Sequence, residues 1–190
     1  MQTNILWTGR AYYSLENCLI DTTDTGTEVN SVVVGGYEGQ IYRVEYQIRT
    51  NTHWETLWVD IKYHHSNRRE HLVFECEGKG HWKMNGRQAE EFDQCVDIDI
   101  SLTPFTNTLP VNRLVLRHGE SRKIRVIYFD ILQQKVLPVF QEYTRLSNTT
   151  YKYENVPNDF EAIITVDERG FVVDYPALFQ RTTLLDTNYR

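Results

Sequence analysis

From position 42 to position 49 the chain alternates without a break. Tyr42, Val44, Tyr46 and Ile48 are apolar, and Arg43, Glu45, Gln47 and Arg49 between them are polar or charged. A period of two puts one greasy and one wet face on the same segment, which predicts a half-buried strand. After the turn-rich Thr50-Asn51-Thr52-His53 the pattern restarts, with Leu57, Val59, Ile61 and Tyr63 set against Trp58, Asp60, Lys62 and His64. The two segments read as a hairpin. Leu72, Phe74 and Cys76 continue the alternation, Gly78-Lys79-Gly80 supplies a permissive turn, and Trp82 and Met84 precede Asn85-Gly86, so a meander of short strands is expected.

The same pattern returns at Val96, Ile98, Ile100 and Leu102, at Ile124, Val126 and Tyr128, and at Ala162, Ile164 and Val166. A helical period is nearly missing, although residues 87–93 suit one short turn of helix. Pro138 cannot donate to a ladder and marks an edge strand or a bulge. Each strand has an apolar face that cannot stay in water, so the sheet must close, fold over or be covered. The expectation is an all-β, mainly antiparallel single domain over residues 1–190: a curled sheet, spiral β-roll or half-barrel with at most a few short helices. The polar residues 182–190 are expected to fray.

Charge narrows the function classes. Lys and Arg total 20 against 26 Asp and Glu, a net charge of −6, which opposes a phosphate backbone unless the basic residues gather on one face. The best clusters, Arg68-Arg69 and Arg122-Lys123-x-Arg125, are small, and the second alternates between faces, so nucleic-acid binding is not expected. Met1-Gln2-Thr3-Asn4-Ile5-Leu6-Trp7 lacks the charged and apolar regions of a secretory signal, which points to the cytoplasm. The longest apolar runs, such as Val32-Val33-Val34, are far short of the roughly 20 residues of a membrane-spanning helix. Three widely spaced cysteines, Cys18, Cys76 and Cys95, give neither a disulfide set nor a zinc thiolate pair and read as reduced, buried thiols. Twelve tyrosines suit either an amphipathic sheet or a wet cavity wall.

The most distinctive stretch begins at Cys95 and carries Asp97-x-Asp99, then Thr103-Pro104-Phe105-Thr106-Asn107-Thr108-Leu109-Pro110, and reaches Arg113. Pro104 and Pro110 bias the residues before them towards extended backbone, and Thr106, Asn107 and Thr108 can bond nearby backbone, so a rigid polar loop is expected. Asp97 and Asp99 share one strand face about 7 Å apart, and Arg113 is placed to neutralise one of them. His64-His65 and His71 read as solvated histidines, since adjacent strand residues point to opposite faces. Nothing in the sequence calls for a metal or cofactor, and no residue set forms a catalytic centre.

This stretch resembles the signature of the putative glycolipid-binding family: a cysteine, an Asp-x-Asp pair and a Thr-Pro-Phe-Thr-Asn-Thr-Leu-Pro block. Further likeness runs along nearly the whole chain, at Trp7, Leu15-Glu16, Gly35, Tyr42, Trp54, Gly80-x-Trp82, Gln141-x-Tyr143, Tyr151-x-Tyr153 and Asp174-Tyr175-Pro176. The resemblance implies a β-roll similar to bacterial lipoprotein carriers, holding a lipid, glycolipid or other amphipathic small molecule in its concavity. Ligand-binding candidates are Trp54 and Trp82 as rim aromatics, with Asp97, Asp99, Thr103, Thr106, Asn107, Arg113 and Tyr143 around the polar head. Two alternatives stand beside this reading: an enzyme acting on a sugar-containing substrate through Asp97 and Asp99, and an interaction module whose concavity is filled by its own side chains.

Overall fold

The inward phase of each strand sets the architecture. In the computed structural model, which describes residues 1–78 and 80–187, the chain runs β1 (Gln2–Gly9), β2 (Ser14–Thr23), β3 (Gly26–Tyr37), β4 (Gln40–Thr50), β5 (Thr56–His65), β6 (Arg68–Cys76), β7 (Trp82–Met84), β8 (Arg87–Gln88) and β9 (Asp97–Ile100). The helix α1 (Thr108–Leu114) follows, then β10 (Ser121–Asp130), β11 (Lys135–Arg145), β12 (Thr150–Val156), β13 (Glu161–Val166), β14 (Val172–Tyr175) and β15 (Phe179–Thr187). Strand accounts for 62% of residues and helix for 7%, which settles the class as all-β. β4 buries Tyr42, Val44, Tyr46 and Ile48 and exposes the charged residues between them. β5 departs from the expected phase at its start: the register slips between Arg49 and Thr50, Thr56 turns inward, and Leu57 is the extra, exposed residue of a bulge.

Two meanders, β1 to β8 and β10 to β15, are joined edge to edge by the antiparallel pair β1 and β15, so the first and last strands lie side by side at the middle of one sheet. Every pairing is antiparallel except that of β9 with β10. β8 and β9 are the two extremes of the strand order, yet only residues 89–96 connect them. Fifteen strands laid flat would span about 65 Å, whereas such a linker reaches about 30 Å at full extension, so the sheet has to curl. It does so without closing into a barrel. The two extremes approach each other where Gln94 N–H bonds Gly80 C=O at 2.9 Å and Thr56 N–H bonds Val96 C=O at 3.3 Å.

Curling creates two apolar cores. In the first, the inner face of β1 to β7 closes over Cys95, Ile98, Ile100, Leu102, Phe105 and Leu109 and the last turns of β10. In the second, β10 to β15 close over Val111 of α1 and Leu116. β10 serves both, with Ile124 and Val126 in the second and Ile127 and Phe129 in the first. Pro138 sits in the part of β11 that only β10 accompanies, as an edge position requires.

Two expectations are corrected. The segment after Thr103 is helical: a 3-10 turn at Phe105–Asn107 runs directly into α1. Pro110 lies in the first turn, where its missing N–H has no intrahelical partner to lose, and the burial of Phe105 and Leu109 at 0% exposure outweighs the extended bias before each proline. Residues 182–187 are held in β15 against β1, because β15 fills the middle of the sheet; residues 188–190 of the expected tail lie outside the described residues. Gly78 and Gly80 both have positive φ, 95° and 71°, as the glycine turn predicts, while Lys79 between them lies outside the described residues. Among the described residues no helix is long and apolar enough to cross a membrane.

Candidate functional site

The second core fills only part of its half of the sheet. Along β10 the inward row passes from Ile124 and Val126 to Tyr128, and along β12 from Tyr151 to Tyr153 and Asn155. Where α1 no longer covers that row, a half-open cavity of about 450 Å³ remains. It is lined by the segment carrying Asp99, Ser101, Thr103 and Asn107 and, on the strands that follow, by Tyr128, Gln141, Tyr153 and Tyr175, with Tyr128 the ladder partner of Asp99. Tyr12, Phe160 and Phe179 complete the mouth. Its aromatic rings pack at angles rather than face to face: Tyr153 against Tyr175 at 6.2 Å and Tyr12 against Phe179 at 5.9 Å.

Asp99 is the polar anchor. Thr106 Oγ1 donates to its Oδ1 at 3.0 Å and Gln141 Nε2 donates to its Oδ2 at 2.7 Å. Burial pushes its pKa above the ordinary carboxylate value, and the two hydrogen bonds oppose that shift. The phenols of Tyr128, Tyr153 and Tyr175 are pushed up as well, by burial first and the Asp99 carboxylate second. They therefore stay protonated donors across the physiological range. Beside Asp99, the Asn107 amide is fixed from behind: Tyr143 donates to Oδ1 at 2.9 Å, and Nδ2 donates to the Pro104 carbonyl at 3.3 Å.

A second carboxylate braces this wall from the far side. Glu16, on the inward phase of β2, accepts at Oε1 from Ser31 (2.7 Å), Tyr46 (2.6 Å) and Thr103 (2.9 Å). Thr103 Oγ1 in turn accepts from Phe105 N–H at 3.0 Å, so Glu16 ties β2, β3 and β4 to the cavity wall. Complete burial raises its pKa from 4.5 to about 7, against the opposing pull of its three hydroxyl donors, and Glu16 Oε2 is buried with no partner among the described residues.

The family described as putative glycolipid-binding matches residues 4–181. The chain belongs to that family. The crystal structure of a DUF1089 family protein from Pseudomonas aeruginosa is similar, at a TM-score of 0.80 and 34% identity, covering 87% of this chain and 91% of that one. A comparison with curated proteins gives no match.

The motif that resembles the putative glycolipid-binding signature divides its residues between the cavity and its support. Asp99, Thr103 and Asn107 line the cavity, while Thr106 and Tyr143 stand behind, holding Asp99 and Asn107. Asp97 and Arg113 do not line it. They form a two-pronged ion pair, Arg113 Nε to Oδ1 at 3.0 Å and Nη2 to Oδ2, with Asp97 at 0% exposure, so the two aspartates do not face one substrate. Trp82 is no rim residue: it is fully buried in the first core and donates to the Cys95 carbonyl at 2.8 Å. Trp54 packs half-buried against the same core from the β4–β5 turn, away from the cavity. The concavity of β1 to β7 is filled by the chain's own segment, so the rim expected there does not exist.

Sequence reasoning missed Tyr12, Tyr128, Gln141, Tyr153 and Tyr175 as cavity walls. A signal was present at Gln141 and Glu16, since each puts a polar side chain on an otherwise inward phase. Among the described residues no group of three or more His, Cys, Asp or Glu is placed to hold a metal ion.

Proposed function

We propose that this protein binds the sugar end of a glycolipid in the cavity between the Asp99 to Asn107 wall and the inner face of β10 to β15, with the lipid's tail leaving through the aromatic mouth. One observation carries the reading: a carboxylate fixed by two side-chain donors lines the same cavity of about 450 Å³ as a set of protonated tyrosines. Sugars present hydroxyls along their edges and C–H groups on their faces, so an oriented acceptor beside aromatic rings suits them. The volume falls in the range of roughly 300–1,000 Å³ usual for small-molecule sites, enough for a head group but not for a whole long-chain lipid. Family membership points the same way.

Native mass spectrometry of the protein taken from its own cells tests this. The expected result is a discrete added mass whose fragments include both a sugar and an acyl chain, reduced in Asp99→Asn. A bound lipid without sugar, or a mass unaffected by that substitution, would contradict it.

A further inference from the structure

The six turns at residues 10–13, 38–39, 66–67, 131–134, 157–160 and 176–178 all fall at one end of the curled sheet, because the strands they join are antiparallel neighbours. The cavity opens at that end, since Tyr12, Pro157, Phe160 and Leu178 from those turns line it. Arg68 Nη1 donates to Gln134 Oε1 at 2.9 Å and ties the start of β6 to the turn at 131–134. Several large apolar side chains are exposed at this end. Tyr13 is 83% and Ile41 78% exposed, and Leu137, Phe140 and Phe160 are exposed as well.

Directly behind this apolar rim runs a basic row. Arg43, His64 and Arg69 are successive cross-strand partners on the outer face of β4, β5 and β6, and all three are exposed. Arg43 Nε bonds Glu45 at 2.7 Å; His64 and Arg69 have no side-chain partner among the described residues. The two guanidiniums stand two strand spacings, about 10 Å, apart on one outer face, so an anionic surface can meet both at once. Lys135 is exposed at the same end, where Glu38 and Asp159 are the opposing carboxylates of the turns. The chain as a whole carries −6, so an anionic surface repels the rest of the molecule and turns this end towards itself.

We infer that the mouth end of the sheet docks on an anionic phospholipid bilayer, with Tyr13 and Ile41 entering the interface and Arg43, His64 and Arg69 meeting lipid phosphates. Exposed apolar side chains beside basic ones are what an interfacial anchor requires. The inference rests on the cavity reading, because a glycolipid whose tail leaves through this mouth is then collected from the bilayer without crossing water.

The test is co-sedimentation with vesicles of equal parts phosphatidylcholine and phosphatidylglycerol, free of glycolipid. Wild-type protein should sediment with them and be released by salt in part. Ile41→Asp and the pair Arg43→Glu with Arg69→Glu should each weaken binding about tenfold or more. Leu185→Asp, an exposed apolar position at the opposite end of the sheet, should leave it unchanged, and melting curves should show that all variants fold. Tyr13→Ser replaces Ile41→Asp if that variant does not fold. Absence of wild-type binding, or equal binding by all variants, overturns the inference. So does a dimer in sedimentation velocity that Ile41→Asp dissolves, which assigns the face to a second copy. Because these vesicles carry no cargo and short-chain glycosides in solution require no bilayer, failure here and failure of the cavity reading are separate results.

Discussion

Replacing Glu16 with glutamine isolates one buried ionisation. Glu16 has a raised folded-state pKa, about 7 against 4.5. The folded protein thus holds this proton more tightly than the unfolded chain does. The stabilisation is fully present below about pH 4.5 and is lost as pH rises through about 7. That displacement is worth on the order of 3 kcal/mol, large beside the whole stability of a typical domain. In Glu16→Gln the amide oxygen still accepts from Ser31, Tyr46 and Thr103, the proton equilibrium is gone, and the buried NH₂ adds a penalty that does not vary with pH. Urea or thermal unfolding of both proteins from about pH 4 to pH 9 gives the difference in stability, in which the shared titration of Asp99 and other groups cancels. The wild type should lose roughly 3 kcal/mol relative to the variant across that range, a shift of about 6–12 °C in relative Tm for a chain of this size. A difference that stays constant with pH would show that Glu16 titrates as an ordinary exposed carboxylate, and the brace between β2 and Thr103 would have to be redrawn.

Arg113→Met leaves Asp97 charged and buried without a partner, and should cost about 3–5 kcal/mol in urea unfolding, most of it recovered when Asp97→Leu is added. Tyr143→Phe strips the donor from Asn107 Oδ1 and should cost about 1–2 kcal/mol by thermal melting while the fold persists in circular dichroism. Gly26→Ala places a Cβ 2.0 Å from the Thr50 carbonyl oxygen at φ +145°, so a loss above about 1 kcal/mol is expected in the same melting assay; an unchanged Tm would mean that the β2–β3 turn is looser than its geometry.

Most of the sheet is legible in the sequence because alternation reports burial directly. Val44, Tyr46 and Ile48 face inward for the reason that Arg43, Glu45 and Gln47 cannot. Leu57 escapes this logic, since a bulge is set by pairing with a neighbour and leaves no mark on the period. The helix at Thr108 escapes it for a related reason. Its seven residues are too few to display a helical period, and the two prolines suggest extended chain until the burial of Phe105 and Leu109 is known. At the site, the Asp97 to Arg113 motif shows where polar residues concentrate, but not that Asp97 turns to Arg113 while Asp99 turns to Gln141 forty-two residues on. The tyrosine wall is assembled from β10, β12 and β14 and the β1–β2 turn, and no local window contains such a set. Trp82 misleads because a tryptophan beside a glycine turn looks the same whether its ring faces a ligand or a core.

Titration calorimetry with soluble alkyl glycosides of increasing chain length, each matched to an amphiphile of the same tail and a non-sugar head, tests the central claim most directly. The account predicts that the sugar head binds more tightly than its matched partner at every chain length, and that Asp99→Asn removes this preference while leaving any gain from the tail in place. Equal affinities for sugar and non-sugar heads, or a preference that survives Asp99→Asn, would contradict it.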